Sequence, residues 1–364
     1  MFSFPLLWRI HRAVRSFLCS GRPCEADVFR LLVAQPFLAV LFYLLPGGCS
    51  VPSAMTPSST TPRPIVVGLG ELLWDLFPSG KQLGGAPANF AYITALLGDS
   101  GIVASRVGDD RLGQEALWHL KSCGLDVRRI QRDLSHPTGT VRVEVDSRGQ
   151  PEYQITENVA WDFLEFSEDW ISLARSAHAV CFGTLAQRNS ISRSTIRAFL
   201  SALPSFAIAI FDANLRQSFF SPEILRDSLR HAKVLKLNHE EFPRFLDLLQ
   251  CPLENSARAD VAAARWLCRQ FAMRLVCITR GAHGSILVTA NSHHEHPGFS
   301  AKIADTVGAG DAFTATLVHH ALRGSSLFTM NAAANRMGAW VASQEGAMPP
   351  ADPAILAEVR ATHS

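Results

Sequence analysis

From Ala179 onward the chain repeats one pattern: a short apolar run closes on a polar cluster, and a longer helical stretch follows. Ala179–Phe182 ends at Gly183. Phe206–Phe211 ends in Asp212-Ala213-Asn214-Leu215-Arg216. Val234–Leu237 ends in Asn238-His239-Glu240-Glu241, and Leu275–Ile278 in Thr279-Arg280-Gly281-Ala282-His283-Gly284. Helical segments fit between them at Ile191–Leu203, Pro222–Ala232 and Ala257–Phe271. Such alternation predicts a mostly parallel sheet flanked by helices, because parallel strands need a crossover and the crossover must cover the sheet. In these sheets ligands gather outside the carboxyl ends of the strands. The polar residues of this chain collect at those ends.

The stretch Asp305-Thr306-Val307-Gly308-Ala309-Gly310-Asp311-Ala312-Phe313 reads as a strand–turn–helix junction. It follows a run that alternates like a strand (Phe299, Ala301, Ile303). It opens a helix predicted over Ala312–Arg323, closed by Gly324, with one apolar face at Phe313, Leu317 and Ala321. The first N–H groups of a helix lack internal acceptors and carry the positive end of its dipole. Glycine lets an anion approach that backbone, so the Gly308, Ala309 and Gly310 amides predict a phosphate-sized anion hole. Asp311 stands at the same terminus, where a carboxylate is favoured in its ionised form. Placed between a hydroxyl and a phosphoryl group, it would accept the hydroxyl proton. Two glycines and an aspartate also make an ordinary helix start, and only the rest of the chain separates the two readings.

Ile65-Val66-Val67-Gly68 is a buried strand that runs into Gly68-Leu69-Gly70-Glu71. The third glycine of a dinucleotide fingerprint is missing and no helix follows at once. Gly80-Lys81 lacks the flanking residues of a P-loop. Leu83-Gly84-Gly85-Ala86-Pro87-Ala88-Asn89-Phe90-Ala91 is a turn feeding a helix that reaches Leu97 and stops at Gly98. Gly101–Val107 is a strand, and Gly108-Asp109-Asp110 starts a helix with its N-cap on Asp109. Arg106 faces either a substrate or a structural ion pair. Val141–Val145 alternates, Asp146–Gly149 turns, and Tyr153 and Ile155 resume, a β-hairpin that breaks the β-α rhythm. Ala332–Ala339 is helical, and Pro349-Pro350 is expected to end the ordered fold.

Residues 1–60 differ from the rest. Leu31–Leu45 is apolar, contains Gln35 and Pro36, and ends in Pro-Gly-Gly-Cys, which mimics a signal peptide but is short for a spanning helix. The preferred reading is an extension upstream of a true start at Met55, which leaves the chain in the cytoplasm. Net charge is +2, but Arg9, Arg12, Arg15, Arg22 and Arg30 against Glu25 and Asp27 leave −1 for residues beyond 55. No basic stripe with interleaved aromatics is present, which argues against nucleic acid. The eight cysteines show no metal-ligand spacing and read as free thiols. His293, His294 and His296 read as a polar loop.

Taken together, these motifs resemble the ribokinase/fructokinase family of carbohydrate kinases (PfkB type), most closely its fructokinase branch. The nine residues from Asp305 match its C-terminal signature. Gly70-Glu71-x-x-x-Asp75 followed by Gly84-Gly85-Ala86-Pro87-x-Asn89 matches its N-terminal one. The resemblance spans about Ile65–Pro350. It implies a ribokinase-like three-layer α/β/α sandwich with a mostly parallel sheet over residues 61–350. Segments near 74–81 and 139–158 would form a small β-sheet lid, and 351–364 a tail. It implies that Asp311 is the base and that Gly308, Ala309 and Gly310 form the anion hole. Asp75, Gly84, Gly85, Asn89 and Arg216 fall on the sugar side. Asn238, Thr279, Arg280, Gly281, Gly284 and Asn335 fall on the ATP side. Glu241 would hold Mg²⁺ through water, and Asp305 and Thr306 a monovalent cation such as K⁺. The implied reaction transfers phosphate from ATP to a primary hydroxyl of fructose, in a homodimer, with no membrane or nucleic-acid partner. Ribose, a keto-deoxy sugar acid, a nucleoside, or a sugar-binding regulator without turnover remain open as alternatives.

Overall fold

The computed structural model describes residues 62–78, 80–145, 151–253 and 260–361. The 1–60 extension, Met55 and the Asp146–Gly149 turn therefore lie outside the described residues. In chain order the strands are β1 (Ile65–Leu69), β2 (Leu73–Phe77), β3 (Gly80–Gly84), β4 (Ser100–Gly108), β5 (Ile130–Asp133), β6 (Gly139–Val145), β7 (Pro151–Ile155), β8 (Ala179–Phe182), β9 (Ile208–Asp212), β10 (Val234–Asn238), β11 (Leu275–Thr279), β12 (Ser285–Val288) and β13 (His293–His296). The helices are α1 (Ala86–Leu96), α2 (Arg111–Ser122), α3 (Glu168–Ser176), α4 (Ser190–Ser201), α5 (Pro222–His231), α6 (Glu241–Leu248), α7 (Asp260–Gln270), α8 (Ala309–Ala321), α9 (Leu327–Ala342) and α10 (Pro353–Arg360).

The large sheet runs β13-β12-β11-β10-β9-β8-β1-β4-β5. It is parallel from β11 to β5, and β12 and β13 add antiparallel at one end. Short strands buried on both faces account for the nearly continuous apolar runs read above. One face, with Val67, Phe182, Phe211, Leu235 and Ile278, packs on α3 to α7. The other, with Val66, Cys181, Ile210, Val234 and Cys277, packs on α1, α2, α8, α9 and α10. Full burial of a side chain such as Phe211 or Leu235 contributes about 1.5–3 kcal/mol. The chain winds outward from β1 through β4 to β5, then returns to β8 on the other side of β1. The crevice outside the ends of β1 and β8 is thus the topological switch point, where such sheets bind ligands.

The smaller sheet, β3-β2-β6-β7, is mixed: β2 pairs antiparallel with β3 and parallel with β6, and β6 antiparallel with β7. Among the described residues no helix is long and apolar enough to cross a membrane. None of the five described cysteines is in a disulfide.

The structure corrects five local expectations. The run Phe299–Ile303 is not a strand; Ala304 N and Asp305 N donate to Ala342 O at the end of α9 instead. The histidines read as a loop form β13, because an edge strand needs no apolar face. Helix α8 begins at Ala309, three residues early, and is buried from Ala312 to His320 because it lies between α1 and α9. The N-cap of α2 is Asp110, whose carboxylate accepts from Gly113 N at 2.7 Å, while Asp109 pairs with Arg132. The ordered fold does not end at Pro350: Asp352 caps α10, and Ile355, Leu356 and Val359 are buried in the layer that holds α8 and α9.

Candidate active site

Helix α8 starts in the crevice. Gly308 caps it with φ 77°, and a Cβ there would meet Ala347 Cβ at 2.4 Å, so only glycine fits. Ala309 N donates back to Thr306 O at 3.3 Å. The other first-turn amides have no acceptor within the helix, as at any helix start.

Asp311, half-buried in this first turn, accepts from Asn89 Nδ2 at 2.8 Å through Oδ2. Asn89 lies in the first turn of α1, which begins after Gly85. Gly85 holds φ 110°, and a Cβ there would sit 2.6 Å from Glu71 O. The same turn brings Gly84 against Asp75, whose Oδ2 a Cβ on Gly84 would approach to 2.5 Å. Asp75 stands opposite Gln82 across β2 and β3.

Acid groups crowd the crevice, and burial sets their protonation. Asp311 is pushed up to about 6, first by burial and then by the charge of Asp212; Asn89, Lys236 and Arg216 pull it back. The expected dominance of the helix dipole is therefore overturned by desolvation. Burial lifts Glu71 to about 7 and Asp75 to about 6, and the charge of Arg216 opposes both shifts. Arg216 itself is exposed. Its positive charge acts on Glu71, Asp75 and Asp311. Glu71, Phe90, Gly183, Thr184, Asp212 and Asp311 are among the residues around a concavity of about 370 Å³, part of it open to solvent.

The residues expected on the nucleotide side lie at the ends of β10 and β11 and in α9. Asn238 and Thr279 are cross-strand partners. Asn238 Oδ1 accepts from Glu240 N and Glu241 N. The Glu241 carboxylate accepts from Leu215 N at 2.8 Å and Asn238 N at 2.9 Å, so it ties the segment after β9 to the turn after β10. One hard carboxylate suits Mg²⁺, which keeps most of its waters. Among the described residues no cluster of three or more His, Cys, Asp or Glu side chains is arranged to hold a metal by itself. Arg280 forms an ion pair with Glu295 on β13, and Arg280 N donates to Gly284 O at 2.7 Å, closing the turn that contains Gly281. Asn335 is buried, with Nδ2 donating to Ser285 Oγ at 2.7 Å and Asn331 O at 2.8 Å. Its amide is thus engaged inside the helix–sheet packing. Asp305, expected at a cation, accepts from Val307 N at 3.0 Å and from Gly346 N at 3.2 Å, so N–H donors meet its carboxylate. Thr306 is exposed beside it. Arg106 resolves to a structural role, paired with Asp133 at 2.9 Å and Glu165 at 2.6 Å.

Three residues of the site escaped sequence reasoning. Glu71 was seen only as part of a motif. Lys236 and Thr314 were not singled out, although a lysine inside the apolar run Val234-Leu235-Lys236-Leu237 was a legible anomaly.

Residues 78–354 match the pfkB family carbohydrate kinase domain. A fructokinase of Escherichia coli is 29% identical over 269 residues, 69% of this chain and 82% of that protein. The structure of a fructokinase from Vibrio cholerae with fructose, ADP and calcium bound has 25% identity and a TM-score of 0.67, covering 82% of this chain and 99% of the other. That of an uncharacterised sugar kinase from Pyrococcus horikoshii with ATP has 26% identity and a TM-score of 0.65, covering 78% and 94%.

Proposed function

This chain belongs to the pfkB family of carbohydrate kinases and is an ATP-dependent carbohydrate kinase; we propose that its acceptor is fructose, phosphorylated at a primary hydroxyl. The fructokinases among its relatives support that choice. The observation that carries the chemistry is the half-buried Asp311 at the start of α8, held through one oxygen by Asn89. Its other oxygen is left to receive a proton.

In this reading the sugar lies between α1 and the small sheet. Asp75, Asn89 and the Gly84-Gly85 backbone take its hydroxyls. Asp311 accepts the proton of the attacking hydroxyl as the new O–P bond forms and the bond to the bridging oxygen of ADP breaks. The Gly308–Gly310 turn and Arg216 receive the negative charge of the moving phosphoryl group. ATP lies along the ends of β10 and β11, near Asn238, Thr279, Arg280, Gly281 and Gly284. Glu241 would hold Mg²⁺ through water, and the ion would screen the phosphate charge. A monovalent cation beside Asp305 and Thr306, a pairing of two copies through the small sheet, and a cytoplasmic location belong to the same proposal. Closure of the small sheet over the sugar would exclude water, which otherwise competes for the phosphoryl group.

The test is a coupled assay of the full chain with Mg-ATP and a panel of fructose, ribose, 2-keto-3-deoxygluconate and adenosine. The expected result is the highest kcat/KM with fructose. A better acceptor in the panel moves the assignment to that acceptor. No turnover with any acceptor, with sugar binding intact, favours the regulator.

A further inference from the structure

Lys236 sits in the middle of the sheet, 8% exposed, on a strand otherwise made of Val and Leu until Asn238. It is the cross-strand partner of Asp212, with Nζ 3.1 Å from Asp212 Oδ1. The second oxygen of Asp212 accepts from Thr314 Oγ1, on α8, at 2.9 Å. Thr314 Oγ1 also lies 2.9 Å from Gly310 O. A Cβ built on Gly310 would come within 3.1 Å of Lys236 Nζ. The ammonium is thus lodged directly under the second residue of α8.

Stability alone gives this arrangement little reason to exist. A buried ion pair is often matched or bettered by apolar residues of the same volume, because both charges lose their hydration. Position supplies the reason. Lys236 stands behind the turn whose amides receive the phosphoryl group, and beside the first turn that carries Asp311. The groups facing Asp311 are Asp212 and Lys236 from the strands beneath, Cys181 from β8, Glu71 from the segment after β1, Asn89 from α1 and Arg216 from the segment after β9.

We propose that Lys236 is a positioning residue for phosphoryl transfer: anchored by Asp212, its ammonium supplies fixed positive charge beneath the Gly308–Gly310 turn and keeps Asp311 able to act as the base. The inference rests on the reading of Asp311 given above. Thr314 completes the device by tying Asp212 to α8, so that β9, β10 and the helix start move as one body. Burial opposes the charge on Lys236, yet Asp212, Asp311 and Glu241 together raise its pKa, so the ammonium persists throughout the working pH range.

The test uses the full chain, measuring kcat, both KM values and the melting temperature across pH for Lys236→Met, Asp212→Asn and the double variant. Loss of the ammonium should move the acid limb of kcat up by roughly one pH unit, the lower end of what a nearby opposite charge does to a carboxylate. It should also lower kcat about tenfold or more. Asp212→Asn should move the limb the other way, because a negative neighbour of Asp311 is gone. The double variant leaves no unpaired buried charge, so its stability should recover while kcat stays low. A purely structural pair predicts lower melting temperatures with an unmoved acid limb in both single variants, and wild-type kcat in the double variant; either result overturns the proposal. Asp311→Asn, assayed in parallel, separates the two readings. If it retains wild-type turnover, the base assignment falls. If it is inactive and the limb stays fixed in the Lys236 and Asp212 variants, only the role of Lys236 falls.

Discussion

Asn89 on α1 and Asp311 on α8, 222 positions apart in the chain, meet in a 2.8 Å hydrogen bond from Nδ2 to Oδ2. Among the described residues no protein donor reaches the buried Asn89 Oδ1. An unmet buried acceptor costs about 1–3 kcal/mol, so a sugar hydroxyl that donates there would bind with that cost removed. One side chain would then register the sugar and the base against each other. A residue that only bound sugar would affect KM alone when removed. Here Asn89→Ala should raise KM for the sugar and also lower kcat. Its acid limb should move to higher pH, because the amide donor lowers the pKa of Asp311. Steady-state kinetics across pH provide the check, and a change confined to KM for ATP would contradict the assignment.

Asp311→Asn should reduce kcat by roughly 10²–10⁴-fold, the usual contribution of a positioned general base. Sugar binding by calorimetry should survive. In the native protein Asp311 rises from 3.8 to about 6, so turnover should fall as pH drops through about 6, where the base becomes protonated. The same shift bears on stability. Between 3.8 and about 6 the folded state holds a proton that the unfolded chain has released, so this group's contribution is present at low pH and lost as pH rises through that window. Asp311→Asn should therefore raise the melting temperature at neutral pH. A variant that is both fully active and no more stable would remove Asp311 from the chemistry.

The site was legible where its chemistry is local. Gly308, Gly310 and Asp311, like Gly84, Gly85 and Asn89, lie within single turns, and the helix that follows each turn is visible in the same few residues. What the sequence hid depends on which segments become neighbours. The Lys236–Asp212 pair requires the register of β9 on β10, and the Thr314–Asp212 bond closes across 102 positions. The protonation of Asp311 is hidden for the same reason: a helix terminus is a local feature, whereas burial beside Asp212 is not. In the fold, alternating β and α segments marked out the parallel sheet. They could not identify β13, since His293–His296 gains its place from the edge of β12 and not from a hydrophobic pattern of its own.

Far from the crevice, Asp99 lies 2.7 Å from His319 Nδ1 and 2.6 Å from Arg323 Nη2, with its side chain almost fully buried. Burial works against its charge, but the hydrogen bonds from His319 and Arg323 outweigh it and hold Asp99 below the usual carboxylate range. Such a group stabilises the fold above its unfolded value of 3.8, and the contribution is lost as pH falls through the lower folded value. Asp99→Ala leaves partners of a buried charge unpaired and should cost about 3–5 kcal/mol. Chemical denaturation at neutral pH measures this, and kcat of the folded fraction should not change. An unaltered denaturation midpoint would show that the cluster adds nothing to stability.

Helix α10 gives the last test, because it was expected to be tail. Asp352 accepts from Ala354 N and Ile355 N, Pro353 occupies the first turn, and Ile355, Leu356 and Val359 are buried in the layer that holds α8 and α9. Val359 O also lies 2.7 Å from His320 Nε2 on α8, the helix that carries Asp311. Removing residues 351–364 strips three buried side chains, at about 1.5–3 kcal/mol each, and uncovers apolar surface on α9. That loss is comparable to the whole stability of many domains. The truncated chain should be poorly soluble or melt well below the full chain, whereas removal of residues 1–54 should leave activity intact. If the C-terminal truncation kept the full melting temperature and turnover, the packing of α10 on the helical layer would be incidental, and the boundary first read at Pro350 would be the correct one.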